Sequence, residues 1–137
     1  MIYHILRFAL QDHLTDDERS EVCRQINSLR ELPSVVSAVV CQDLGHPDDG
    51  FTHSAIITLA SEEDYKTYLT DPDHAVVIDY VIPRWKKAMF CDAAEDFDEG
   101  LYGRIQETMT NMGMRPELVS HMENITAHAQ PVGETLA

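Results

Sequence analysis

The chain has 137 residues, enough for one domain with a substantial core and too few for two. Hydrophobic residues make up 44% and charged residues 25%, ordinary values for a globular protein. The formal charge of −14 is less ordinary, and 10 basic against 24 acidic residues argue against nucleic-acid backbones and anionic membranes as partners.

No apolar run approaches the ~20 residues of a membrane span. The N-terminus enters strand-like sequence without a basic region or cleavage site, so a soluble cytoplasmic protein is expected. Cys23, Cys41 and Cys91 are odd in number and too far apart for a CxxC site. Each falls in an expected helix or strand, which predicts buried free thiols.

Residues 2–10 alternate as a strand, with Ile2, His4, Leu6 and Phe8 on one face. Thr15 and Glu18 have capping-box spacing and open a helix carrying Val22, Ile26 and Leu29 as one stripe; Pro33 stops it. Residues 35–44 form the second strand, followed by a turn-rich loop over 45–50. Residues 51–59 form the third, with Phe51, His53, Ala55, Ile57 and Leu59 sharing a face.

Ser61 and Asp64 cap a second helix that runs through Tyr65 and Tyr68 to Asp71. Pro72 disfavours helical geometry at Asp71 but fits the first position of a new helix, so the helix splits and restarts, with His74 in the first turn. Residues 73–81 form this second half, and 86–91 the fourth strand. The order β-α-β-β-α-β, with a split second helix, is the ferredoxin-like α+β plan.

Residues 1–97 form the expected domain and 98–137 a C-terminal helical extension, with 92–100 as an acidic linker. Leu101, Ile105, Met109 and Met112 make one helical stripe ended by Gly113, and Pro116 starts another with Leu118, Met122 and Ile125. A hairpin with such stripes packs across an assembly or covers a pocket mouth. Residues 130–137 read as a frayed tail.

The chemistry-bearing candidates are His4, His53, Tyr68 and His74. The first and third strands are neighbours in this plan, and both histidines lie on faces shared with Leu6, Phe8, Phe51 and Ile57. Tyr68 and His74 sit on two short arms that come down onto the same face. Three imidazoles and a phenol in an apolar cleft make a default small-molecule site. Each residue has an ordinary use as well, a hydrogen-bonded interior histidine or a packed helix tyrosine, and the residues alone leave both uses open. Metal binding is a rival use of the imidazoles, but no short HxH or HExxH spacing is present.

Four pieces in order, Tyr3-His4-Ile5-Leu6-Arg7-Phe8, Phe51-Thr52-His53, the Ser61 cap and the 68–74 turn, resemble the stress-responsive A/B barrel (Dabb) family. The family's turn usually has histidine-proline where this chain has Asp71-Pro72. The resemblance implies a homodimer in which two four-stranded sheets face each other as an α+β barrel. It covers residues 1–97 and is silent on the extension.

The olivetolic acid cyclase-like branch closes polyketide chains by aldol condensation without metal or organic cofactor. Its tyrosine and histidine match Tyr68 and His74, and its strand histidines match His4 and His53. The resemblance therefore implies a cofactor-independent, cyclase-like enzyme on an enolisable small molecule. His74 is then the base, Tyr68 the hydrogen-bond donor to the developing oxyanion, and His4, His53, Phe51 and Leu6 bind substrate. The alternative is a non-catalytic dimeric stress-responsive or small-molecule-binding protein.

Overall fold

The structure, a computed structural model, describes residues 1–126. The expected tail at 130–137, and His128 with it, lie outside the described residues. β1 (Ile2–Leu10), β2 (Val35–Gln42), β3 (His53–Leu59) and β4 (Trp85–Phe90) form an antiparallel sheet in the order β2-β3-β1-β4, the ferredoxin-like arrangement. α1 (Asp16–Ser28), α2 (Glu62–Thr70) and α3 (Pro72–Val81) supply the helices. No helix among the described residues is long and apolar enough to cross a membrane.

The predicted caps form. The Thr15 hydroxyl accepts from the Glu18 backbone N–H, and the Ser61 hydroxyl accepts from that of Asp64, each at 3.1 Å. Asp71 ends α2 in extended geometry, and its carboxylate accepts from the Asp73 N–H at 2.8 Å, capping α3 behind Pro72. A single residue thus closes one helix and opens the next.

Alternation decides what lies under the helices. Ile2, Leu6, Phe8 and Leu10 of β1 are buried, as are Ala55, Ile57 and Leu59 of β3. Val22 and Ile26 of α1 and Val77 and Val81 of α3 are buried with them. Phe8 is fully buried, with its ring stacked on that of Trp85 at 5.5 Å between centroids.

Three expectations need correction. The stretch read as a linker from Asp92 contains a short strand, β5 (Ala93–Ala94), paired with Tyr3 and Ile2 in the register that β4 already holds with β1. Cys91 N–H donates to the Ile5 carbonyl at 2.8 Å, so the ladder runs through the gap and carries the acidic segment along the edge of β1. Cys41 and Cys91 are exposed rather than buried, and Cys23 is intermediate; all three are free thiols. Phe51 lies outside β3, and its ring packs under the Arg7 guanidinium, 4.5 Å from its centroid.

Beyond β5, α4 (Leu101–Thr110) and α5 (Pro116–Ile125) fold back onto the same core. Ile105 and Leu118 are buried. Arg104 makes two 2.9 Å bonds to the Glu62 carboxylate on α2 and one of 2.5 Å to Asp98. His121 Nε2 lies 3.0 Å from the Trp85 carbonyl, and Thr126 bridges to Ala88 of β4.

Candidate active site

A cavity of about 740 Å³ lies between the sheet, α2 and α3, with α4 and α5 on its far side. The sheet contributes Ile2, His4, Leu6 and Ile57, and the split helix contributes Tyr65, Tyr68 and His74. Mainly apolar walls with a few converging polar groups are what a small-molecule site requires.

At one end of the cavity stands a hydrogen-bonded cluster. His4 Nδ1 lies 2.8 Å from Asp92 Oδ1 and 2.8 Å from the Tyr65 hydroxyl oxygen. The Tyr65 hydroxyl donates to Asp92 Oδ2 at 2.5 Å, and the Ile5 backbone N–H donates to Oδ1 at 3.2 Å. With two donors already on this carboxylate, the consistent assignment puts a proton on His4 Nδ1 and leaves Nε2 an acceptor. Burial works against the Asp92 charge, but His4, Tyr65 and Ile5 outweigh it and hold the carboxyl below its ordinary range. Its side chain is 29% exposed, so the carboxylate turns inward while its backbone stays at the surface.

Tyr68 and His74 form the neighbouring pair, with ring centroids 4.3 Å apart and tilted by 46°. The Tyr68 ring lies 6.0 Å from that of His4. Tyr68 makes no side-chain hydrogen bond among the described residues, and burial, with Asp92 nearby, pushes its phenol well above the ordinary range. It is therefore a neutral donor without a partner. His74 Nδ1 is buried and also unpartnered among the described residues. Burial, with His4 adding, lowers His74 from 6.5 to about 4, against opposing pulls from the Leu69 backbone and Asp71. The imidazole is neutral near pH 7.

Of the candidates read from the sequence, the structure brings together His4, Leu6, Tyr68 and His74. It does not bring His53 or Phe51 to them. His53 pairs with Phe8 in the sheet, whereas His4 pairs with Ile57, four residues further along β3. That separation is ~13 Å at the rise of a strand. The His53 ring stacks on Phe8 at 5.1 Å and its Nδ1 bonds to the Thr52 hydroxyl at 2.7 Å. Three imidazoles therefore do not converge, and among the described residues no group of three metal-ligating side chains is present.

Asp92 and Tyr65 are the residues that sequence reasoning passed over. A signal for Asp92 existed. With Leu6 opposite Phe90 in an antiparallel pair, the same register carries Asp92 opposite His4 and onto the same face. Tyr65 lies three residues before Tyr68, one helical turn away, and faces the sheet with it.

The family model for the stress responsive A/B barrel domain, Dabb, matches residues 2–94. No curated protein matches the chain. Similar solved structures include a hydroxynitrile lyase from Passiflora edulis, 20% identical with a TM-score of 0.62, over 71% of this chain and 96% of that one. A dimeric ferredoxin-like protein of unknown function from Thermobifida fusca is 22% identical, with a TM-score of 0.59, over 68% and 89%. SnoaB, a cofactor-independent oxygenase from Streptomyces nogalater, is 13% identical, with a TM-score of 0.54, over 72% and 95%. At these identities the likeness is one of fold, and the family match ends at Ala94, before α4 and α5. By that match the chain belongs to the stress-responsive A/B barrel, or Dabb, family.

Proposed function

We propose that this chain is a small cofactor-independent enzyme of cyclase or aldol type, acting on a polyketide-like or other enolisable molecule through Tyr68 and His74. The supporting observation is the pair itself: a neutral phenol and a neutral imidazole, their ring centroids 4.3 Å apart at the wall of an apolar cavity. Hydroxynitrile lyase and cofactor-independent oxygenase activities named among its structural neighbours are chemistry on small molecules, in keeping with this reading.

In this mechanism His74 removes a proton from carbon beside a carbonyl, at Nε2, because Nδ1 is enclosed. The Tyr68 hydroxyl donates a hydrogen bond to the enolate oxygen as charge develops there. The enolate carbon attacks a second carbonyl of the same substrate and forms the new C–C bond. The resulting alkoxide takes the proton back from His74, which returns neutral. His4, held by Asp92 and Tyr65, orients the substrate through Nε2, and Leu6 contributes apolar wall.

The protein acts as a homodimer in this reading, as the Thermobifida protein is described. The face of the sheet turned away from the helices supports it, with Val36 54% and Val39 43% exposed in the single chain. Residues 1–97 are the catalytic domain and 98–137 an extension of it. A second reading, a non-catalytic small-molecule-binding dimer, draws on one observation: burial that lowers His74 to about 4 also weakens it as a base.

Turnover of a panel of linear β-polyketones separates the two readings. Tyr68→Phe is expected to lower kcat by about 10²-fold and His74→Ala by about 10²- to 10⁴-fold, with folding unchanged by circular dichroism. A folded His74→Ala protein that turns over as fast as the parent overturns the assigned roles. Binding without turnover of any panel member selects the second reading.

A further inference from the structure

The cavity has two chemically different walls. The sheet, α2 and α3 bring His4, Tyr65, Tyr68 and His74, whereas the wall from α4, α5 and their connection is mainly apolar, Leu101, Ile105 and four methionines, with Tyr102, Gln106 and Thr126 as its polar members. No charged side chain of residues 101–126 lines it. Four of the six methionines in the protein are gathered here. Unbranched thioether chains reshape around what they touch, so such a wall suits a flexible apolar occupant better than one rigid shape. Arg104 and Arg115, the hairpin's only arginines, turn instead to Glu62, Asp98 and Asp79 and fasten it from outside.

The geometry points to an apolar-tail site. The α4–α5 hairpin is the wall that holds an unbranched alkyl or acyl chain, and the carbonyl-bearing head of the same ligand lies at Tyr68 and His74. The position of the head rests on the function proposed above; the tail site rests on the hairpin alone. A cavity of about 740 Å³ is of the size that encloses most of a drug-sized ligand, which leaves room for a tail beyond the reacting carbonyls. The hairpin lies outside the matched family domain, so this wall is supplied by the segment that distinguishes the chain from that domain. Met109 and Met122, half-buried on different helices, are its specificity-determining residues.

The test uses the full chain and a series of methyl n-alkyl ketones, lengthened from butyl to undecyl and titrated by calorimetry. Affinity is expected to rise about fourfold per methylene, the equivalent of ~0.8 kcal/mol, until the cavity is filled. Met109→Trp and, independently, Met122→Trp are expected to shorten the longest ketone that gains affinity. Affinity that does not vary with chain length overturns the tail site. So does an unchanged length limit in both folded variants.

Deuterium exchange beside the ketone carbonyl is followed on the same series. Length-dependent binding without catalysed exchange upholds the tail site and overturns the enzymatic reading. Exchange abolished in Tyr68→Phe, with no length dependence in binding, upholds the enzyme and overturns the tail site.

Discussion

His4 and His53 stand on adjacent strands and on the same face of one sheet, yet they sit in different environments. His4 is 5% exposed, held by Asp92 and Tyr65, and borders the cavity. His53 is half-buried against Phe8 and bonded to the hydroxyl of its sequence neighbour Thr52. Strand alternation makes the two equivalent, and position along the strand separates them. The His4 end receives the split helix and the β5 edge, whereas Phe8 and Trp85 fill the middle of the layer with stacked rings. One end of the sheet is built around polar groups beside the cavity, and toward the other the Phe8 ring is packed with no exposure.

That contrast breaks most readily at the packed end. Phe8 is fully buried, and Phe8→Ala should cost about 3–5 kcal/mol of stability by chemical denaturation, through lost burial and the void beside Trp85 and His53. If the loss is under about 1 kcal/mol, this part of the sheet is not the anchor described.

At the cavity end the next effect depends on pH. The unfolded chain protonates His74 near 6.5 and the folded chain resists until about 4, so between those values the unfolded state binds more protons. The contribution of His74 is therefore complete above about pH 6.5 and is lost as the pH falls toward 4, by about 3 kcal/mol. Comparing the parent with His74→Asn across this range isolates the slope. Identical slopes would mean that His74 titrates normally in the fold.

Asp92→Ala removes the carboxylate that accepts from His4, Ile5 and Tyr65, and is expected to cost about 1–3 kcal/mol. It should also free His4 from the Nδ1–H tautomer, which ring ¹⁵N chemical shifts report directly. A His4 spectrum unchanged by the substitution would remove Asp92 from the site. His53→Asn is the smallest expected change, below about 1 kcal/mol and without effect on turnover. A loss of turnover there would mean that the two ends communicate.

Much of the frame was legible because it depends on local rules. Hydroxyl caps at Thr15 and Ser61, the proline that splits the helix at Asp71, and period-two alternation in β1 and β3 each follow from neighbours in sequence. The cluster around His4 was half legible. Its imidazole and the Tyr68–His74 turn stood out, while Asp92 was hidden in an acidic run that reads as linker. Only pairing with a strand some ninety residues earlier in the chain turns that carboxylate inward.

The amino-acid sequence by itself determined the order of elements through β4, the buried faces of β1 and β3 and the break between α2 and α3, since these are written in spacing and caps, while the family was carried by the resemblance of four short motifs. Tertiary structure alone decided which histidine meets the tyrosines, that Asp92 and Tyr65 join it, and that α4 and α5 close over the cavity. The reason is physical. Alternation fixes which side of a sheet a residue faces, but its partners depend on strand register and on where helices from distant sequence come to rest.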